Sequence, residues 1–292
     1  MADDRPLPDS FSLSQYILTH FDQGDVGSCF ANAAAQIAQI DMQFGDPSRY
    51  FPVSRRLVWQ QGRKLDNSWP SRGDGGSVCN AVACLADSYH NAFGDGSGAG
   101  AAHEDLWPYK DDHNWLEAKP PQSVLDDAAK TRFTQYAEVA PTVWQRQIYS
   151  GRAVDMGTFW PLGWDSAIGN DGRATGIGKL ARDGLGRPGG HSYTLTGWAT
   201  WSGQLWYQFE NSHGPIYHPL TAELAASVPG YKPAGATGIN GEPDMTFDFW
   251  VRADWYLQLF QQSQEAEAFC VAGPEGFTRR DPIDPTAIMP VA

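Results

Sequence analysis

Cysteine is scarce in this chain. Its four residues of that type, Cys29, Cys79, Cys84 and Cys270, form no CxxC pair and show no metal-finger spacing. Cys79 and Cys84 are expected on one helix, where a separation of five points them in different directions. A disulfide framework is therefore not expected, and a reducing compartment is tolerated. Positive charge is also thin, with 21 Lys and Arg against 34 Asp and Glu, a net charge of −13 and a pI near 4.8. That balance argues against a nucleic-acid partner and against an anionic membrane surface.

Long apolar runs are missing too. No window approaches 18 uninterrupted apolar residues, so no membrane span is expected. The opening "MADDRPLPDS" is acidic and lacks a basic segment followed by an apolar one, so no signal peptide is expected. A cytoplasmic or virion-associated location follows as the expectation. "GNDGRATGIG" and "GDGSG" lack the K-[ST] ending of a phosphate loop and the spaced carboxylates of a calcium loop. They read as ordinary loops, and neither a cofactor nor a metal site is expected. No internal repeat or low-complexity tract is present.

What the chain does have is aromatic bulk and turn residues: 12 Trp, 14 Phe, 11 Tyr, 31 Gly and 20 Pro in 292 residues. A length of this order suits one two-lobed domain with a substantial core. From Cys29 onward, Phe30, Ala33, Ala34, Ile37, Ile40 and Phe44 repeat at helical spacing, with Ser28 as the expected cap. "SRRLVWQQGRKL" predicts a second helix, and "DGGSVCNAVACLADSYHNAF" a third that puts Val78, Val82, Leu85 and Tyr89 on one face. "GDGSGAGAA" predicts a surface loop, and "PPQSVLDDAAKTRF" a further short helix. After about Phe133, "VDMGTFWPL", "HSYTLTGWATW", "QLWYQFEN" and "MTFDFWVRADWYLQLF" read as strands. The fold class is thus α+β with segregated halves.

Two alternating runs flank Ser202-Gly203, a hairpin signal. A turn centred near Trp201 sets His191 opposite Asn211; a shift of one pair brings His213 or residue 209 opposite instead. His191 and Asn211 share a face in any register that pairs odd residues with odd. An imidazole beside an amide is the arrangement that fixes a tautomer and orients a base. Cys29, at a helix N-terminus, is expected to have a lowered thiol pKa. Gln23 precedes it by a loop carrying Gly24 and Gly27, which lets N–H groups approach a substrate carbonyl.

Gln23 with Gly27-Ser28-Cys29-Phe30-Ala31, then Gly189-Gly190-His191, then Asn211-Ser212-His213-Gly214, resembles the papain family of cysteine peptidases. Its Q-x5-C, G-H and N-S-W-G motifs occur in that order. The histidine and asparagine fall 162 and 182 residues after Cys29, beyond the family's about 130–150. "SRRLVW", "GDGGSVCNAVACLA", "EDLWPY" and "DFWVRADWY" are similar to further elements of bacterial and viral branches, so the likeness spans about residues 20 to 260.

The resemblance implies a two-lobed fold, with a helical lobe over about 20–130 and an antiparallel barrel-like β lobe over about 131–262. Both lie in one peptidase domain, 1–272, followed by an extended tail over 273–292. It implies Cys29 as nucleophile, His191 as general base and then acid, and Asn211 as its orienter. Gln23 and the Cys29 N–H would be the oxyanion donors. Gly75 and Gly76 would hydrogen-bond an extended polypeptide substrate, with Gly27, Ser28 and Gly190 as further substrate-binding positions.

Two departures stand out. Asp25 and Val26 occupy the loop where many relatives carry a disulfide cysteine. His213 occupies the place of the tryptophan that shields the His–Asn bond, a task open to Trp198, Trp201 or Trp164 here. Alternatives to a peptidase are an amidase of peptidoglycan stem peptides and a weak or inactive papain-fold virion component. In the latter the tail would dock on its own body or on a partner. The short stretch before Gln23 leads us to expect no long inhibitory pro-segment.

Overall fold

The alanine-rich run after Cys29 forms one long helix, α1 (Cys29–Gly45). This computed structural model describes residues 6–69, 73–86, 100–112, 118–164, 172–174, 176–182, 186–214, 216–217, 228, 245–263 and 266–274. Alanine has the highest helix propensity and no bulk to keep neighbours away. The helix is accordingly buried on nearly every side: Phe30, Ala34, Ile37 and Ile40 of the expected face, but also Ala31, Ala35 and Ala38. Ser28 is the N-cap residue, yet its side chain does not cap. Its Oγ is instead shared between the Tyr109 hydroxyl at 2.7 Å and the Asn32 amide at 3.0 Å.

Helix α2 (Arg55–Leu65) begins where Ser54 Oγ accepts from the Leu57 N–H, and α3 (Val78–Ala83) where Ser77 Oγ accepts from Asn80. Val78, Val82 and Leu85 are buried as their shared face requires. Tyr89 and the glycine run over 94–98 lie outside the described residues, as does the tail from 275. Helix α4 (Gln122–Ala128) follows its prolines as expected.

Beyond it come β2 (Phe133–Glu138), β3 (Val154–Phe159), β4 (Arg173–Ala174), β5 (Gly190–Trp201) and β6 (Gln204–Glu210). The chain ends its sheet with β9 (Asp248–Arg252) and β10 (Glu267–Pro274), after a small β7–β8 pair (Ile216–Tyr217 and Met245–Thr246). The strand order is β2-β10-β3-β5-β6-β9-β4, and β1 (Ser10–Ser12) adds to β5. All pairings are antiparallel except β4 with β9. One core runs through both halves, from Ile37 and Trp59 to Phe209 and Tyr256.

Two stretches differ from the sequence expectation. Trp144–Tyr149 is a helix (α5) within the strand-rich half, anchored by the buried Trp144 indole donating to the Val139 carbonyl. "MTFDFWVRADWYLQLF" is strand only as far as Arg252, and Ala253–Gln262 is a helix (α6). Aromatic richness suggested a strand, but the buried positions Ala253, Tyr256 and Leu259 recur every third residue, a helix face. Truncating Leu259 to alanine should cost about 2–5 kcal/mol.

Candidate active site

The β5–β6 hairpin turns at Ser202 and Gly203, both with positive φ (49° and 73°), as a two-residue turn of this hand requires. It sets Trp201 opposite Gln204, odd against even, a parity that would turn His191 and Asn211 to different faces. One irregularity corrects this. Between Leu195 and Gly197 the register shifts by one, so that Leu195 faces Phe209 and Thr194 faces Glu210. Continued past Glu210, that register brings His213 opposite His191, and Asn211 two residue pairs nearer the turn on the same face. The side chains meet accordingly: His191 Nε2 lies 2.8 Å from Asn211 Oδ1, and the His191 ring lies 4.0 Å from that of His213. Asn211 Oδ1 also accepts from the Ser212 N–H, which identifies that atom as oxygen. His191 therefore carries its proton on Nε2 and presents a bare Nδ1.

Cys29 and His191 line one cleft of about 780 Å³, together with Gly75, Gly76, Gly190 and Glu267. No hydrogen bond joins Cys29 to His191. The thiol instead has backbone partners at Phe30 and Ser192. The chain just after Gly75-Gly76 is held where Ser77 N–H donates to Asp66 and Val78 N–H donates to Glu267. Asp74 ties that edge to the loop before Cys29, accepting from the Gly27 N–H at 2.7 Å. A Cβ on Gly27 would sit 2.7 Å from the same carboxylate, so a side chain there would push Asp74 aside.

Burial disfavours charge on both members of the pair. Although Cys29 keeps some exposure to the cleft, desolvation pushes its thiol up to about 11, and Asp155 and Asp74 add to the rise. The N–H groups of Ser192 and Phe30 pull the other way and do not prevail, so the lowered thiol pKa expected from the helix terminus is not what these surroundings produce. Burial, then the neighbouring His213, holds His191 well below the usual imidazole range, against the pull of Asn211. Asp155, fully buried and accepting from Ser192 Oγ at 2.6 Å, is raised well above the carboxylate range by burial.

Gln23 does not line this cleft but is fixed beside it. Its Oε1 accepts from Ser212 Oγ at 2.7 Å, its Nε2 donates one hydrogen to the Val26 carbonyl, and its own N–H donates to the Ser212 carbonyl. The second Nε2 hydrogen is uncommitted by these bonds. Ser28 turns inward to Tyr109 and Asn32, away from the cleft.

Several supporting residues were not singled out from the sequence. Arg55 grips Glu104 through two nitrogens and donates to the Asp22 carbonyl and Asn32, while Tyr109 donates to the Gln23 carbonyl. Trp160 stands edge-on to His191, with centroids 4.6 Å apart. It, rather than Trp198 or Trp201, is the tryptophan packed against His191, and Trp164 packs against it in turn. The β3–β5 pairing brings it there: Trp160 lies two residues beyond Thr158, whose partner across the strands is His191. Trp198 packs on Phe11, and Trp201 on Trp206 and Trp250. His103 is a satisfied structural histidine bonded to Asp127. Among the described residues, no group of three or more His, Cys, Asp or Glu is placed to hold a metal ion, and no helix is long and apolar enough to cross a membrane.

A thiol and an imidazole lining one cleft are groups that acyl transfer can use. Solved structures share the architecture. Xylellain, a cysteine protease from Xylella fastidiosa, aligns with a TM-score of 0.64 at 20% identity, covering 92% of this chain and 87% of that one. The bromelain protease of Ananas comosus gives 0.56 at 14% identity over 91% and 99%. Procathepsin B of Trypanosoma congolense gives 0.56 at 13% over 93% and 79%. No protein-family model and no curated protein matches the chain in sequence. The fold is papain-like, a two-lobed α+β arrangement.

Proposed function

We propose that this protein hydrolyses peptide bonds by thiol chemistry, taking an extended polypeptide into the cleft between Gly75-Gly76 and Gly190. One observation carries the reading: Cys29 and His191 line the same cleft, and Asn211 fixes the His191 tautomer from behind. Because both groups rest neutral, attack and proton transfer are coupled. The Cys29 sulfur forms a bond to the substrate carbonyl carbon as its proton passes to His191 Nδ1.

The carbonyl oxygen becomes an oxyanion, received by the Cys29 N–H and the second Nε2 hydrogen of Gln23, each such donor contributing roughly 2.7–4 kcal/mol. His191 then gives the proton to the leaving nitrogen as the C–N bond breaks, leaving a thioester. Water, deprotonated by His191, attacks the thioester, and the thiol leaves with that proton while the acid product departs. Asn211 steadies the imidazolium in both halves of the reaction.

Incubation of wild type and Cys29→Ala with a mixed peptide library, read by mass spectrometry, tests the proposal. New peptide termini with wild type alone support it. Cleavage by both proteins contradicts it. Amine release from cell-wall peptides, with the library left whole, would replace it with an amidase, and inertness toward both in a folded protein would replace it with a structural role.

A further inference from the structure

His213 lies where its ring can act on His191 in two ways. The rings are 4.0 Å apart and tilted by 30°, and Trp160 stands edge-on to both, at 4.6 Å from His191 and 5.5 Å from His213. Trp160 and His213 thus both pack against the ring that donates to Asn211. His191 is buried, whereas His213 is open to solvent. Two imidazoles this close do not both hold protons without penalty, because like charges disfavour each other's ionisation. The exposed ring takes the first proton, since water stabilises its charge and burial opposes charge on His191. Histidine changes charge between pH 5 and 8, so the difference falls within working conditions.

We propose that His213 is a positioning residue with two tasks: it roofs the His191–Asn211 bond, and once protonated in mildly acidic solution it slows catalysis by opposing the charge that His191 must accept. This rests on the peptidase reading, in which His191 becomes an imidazolium at the attack step. His213 is already the second cause, after burial, of the depressed basicity of His191.

Ionisable groups near this pair include Cys29, Tyr193 and Asp22. Cys29 shares the cleft, and Tyr193 lies under His191 with centroids 5.7 Å apart. Asp22 has its carboxylate 3.2 Å from where a Cβ on Gly214 would sit. Burial keeps the Cys29 and Tyr193 protons in place through this pH range. Asp22 is the carboxylate beside the turn, and its neutral variant is the control.

The test is the pH profile of kcat/KM on one cleaved peptide from pH 5 to 8 for wild type, H213W, H213F, H213A and D22N. Titration of the His191 ring by NMR in wild type and H213F accompanies it. Wild type should lose at least about tenfold between pH 8 and 5. H213W and H213F should bring that ratio toward one, and D22N should keep it. H213W should exceed H213A at pH 8, since only the former keeps the roof. An acid limb unchanged in H213F and H213W, or abolished by D22N, overturns the charge argument, and equal activity of H213A and H213W overturns the roof. If no protein cleaves any peptide, the peptidase reading fails and the NMR titration decides alone. A higher His191 pKa in H213F supports the inference, and an unmoved one contradicts it.

Discussion

The Nε2–H of His191 donates to Asn211 Oδ1 across 2.8 Å, and that one bond decides which nitrogen faces the cleft. With Nε2 engaged, the proposed mechanism makes the lone pair of Nδ1 the base, held by Asn211 through the imidazolium stage. Hydrogen bonds to charged groups are worth about 1.5–3 kcal/mol. Asn211→Ala should therefore lower kcat by roughly ten- to a hundredfold with less effect on KM. Steady-state kinetics on a cleaved peptide checks this.

Cys29 should react as a buried thiol. With its pKa pushed up to about 11, its labelling by iodoacetamide should climb about tenfold per pH unit from pH 7 to 10. Peptide mapping separates Cys29 from Cys79, whose thiol is also raised to about 11. A labelling rate already flat between pH 5 and 8 would mean a preformed thiolate–imidazolium pair.

In the proposed mechanism Gln23 is an oxyanion donor, and its Oε1 accepts from Ser212 Oγ at 2.7 Å. Gln23→Ala should cost about a hundred- to a thousandfold in kcat, the range for one lost oxyanion donor. Ser212→Ala should cost less, because it loosens the amide without removing it. The ratio of the two losses, measured on one substrate, checks the assignment.

Asp155 gives the fold a pH dependence. Its pKa is raised by burial, so from about pH 4 upward the folded protein holds a proton that the unfolded chain has released. Its contribution to stability therefore falls as pH rises from about 4 toward its own raised pKa. Asp155→Asn keeps an acceptor for Ser192 and removes the titration. The drop in melting temperature between pH 4 and pH 8 should shrink in the variant, which thermal melts would show directly.

Much of this was legible in the residues. The helix after Cys29, the α2 and α3 helices, the Ser202-Gly203 turn and the α+β division all follow from local chemistry. The shift near Thr196 did not, because nothing in "YTLTGW" distinguishes a strand with one extra residue from one without. Yet that residue is what returns His191 and Asn211 to one face. Helix α6 was hidden because Trp255, Tyr256 and Phe260 favour strands, and the burial period that overrode them is set by tertiary packing. Arg55, Asp74 and Trp160 act through contacts between distant segments, which no local pattern displays. The neutral resting state of Cys29 was likewise out of reach, since desolvation depends on what folds over the thiol.

The central claim is that Cys29 becomes acylated by a peptide substrate. Acid-quenched mass spectrometry of wild type, mixed with a peptide ester for a single turnover, measures this directly. The account predicts an acyl mass on the peptide containing Cys29, present in wild type and lost in His191→Ala. Turnover of the ester without that adduct, or acylation mapped to Cys79, would contradict it.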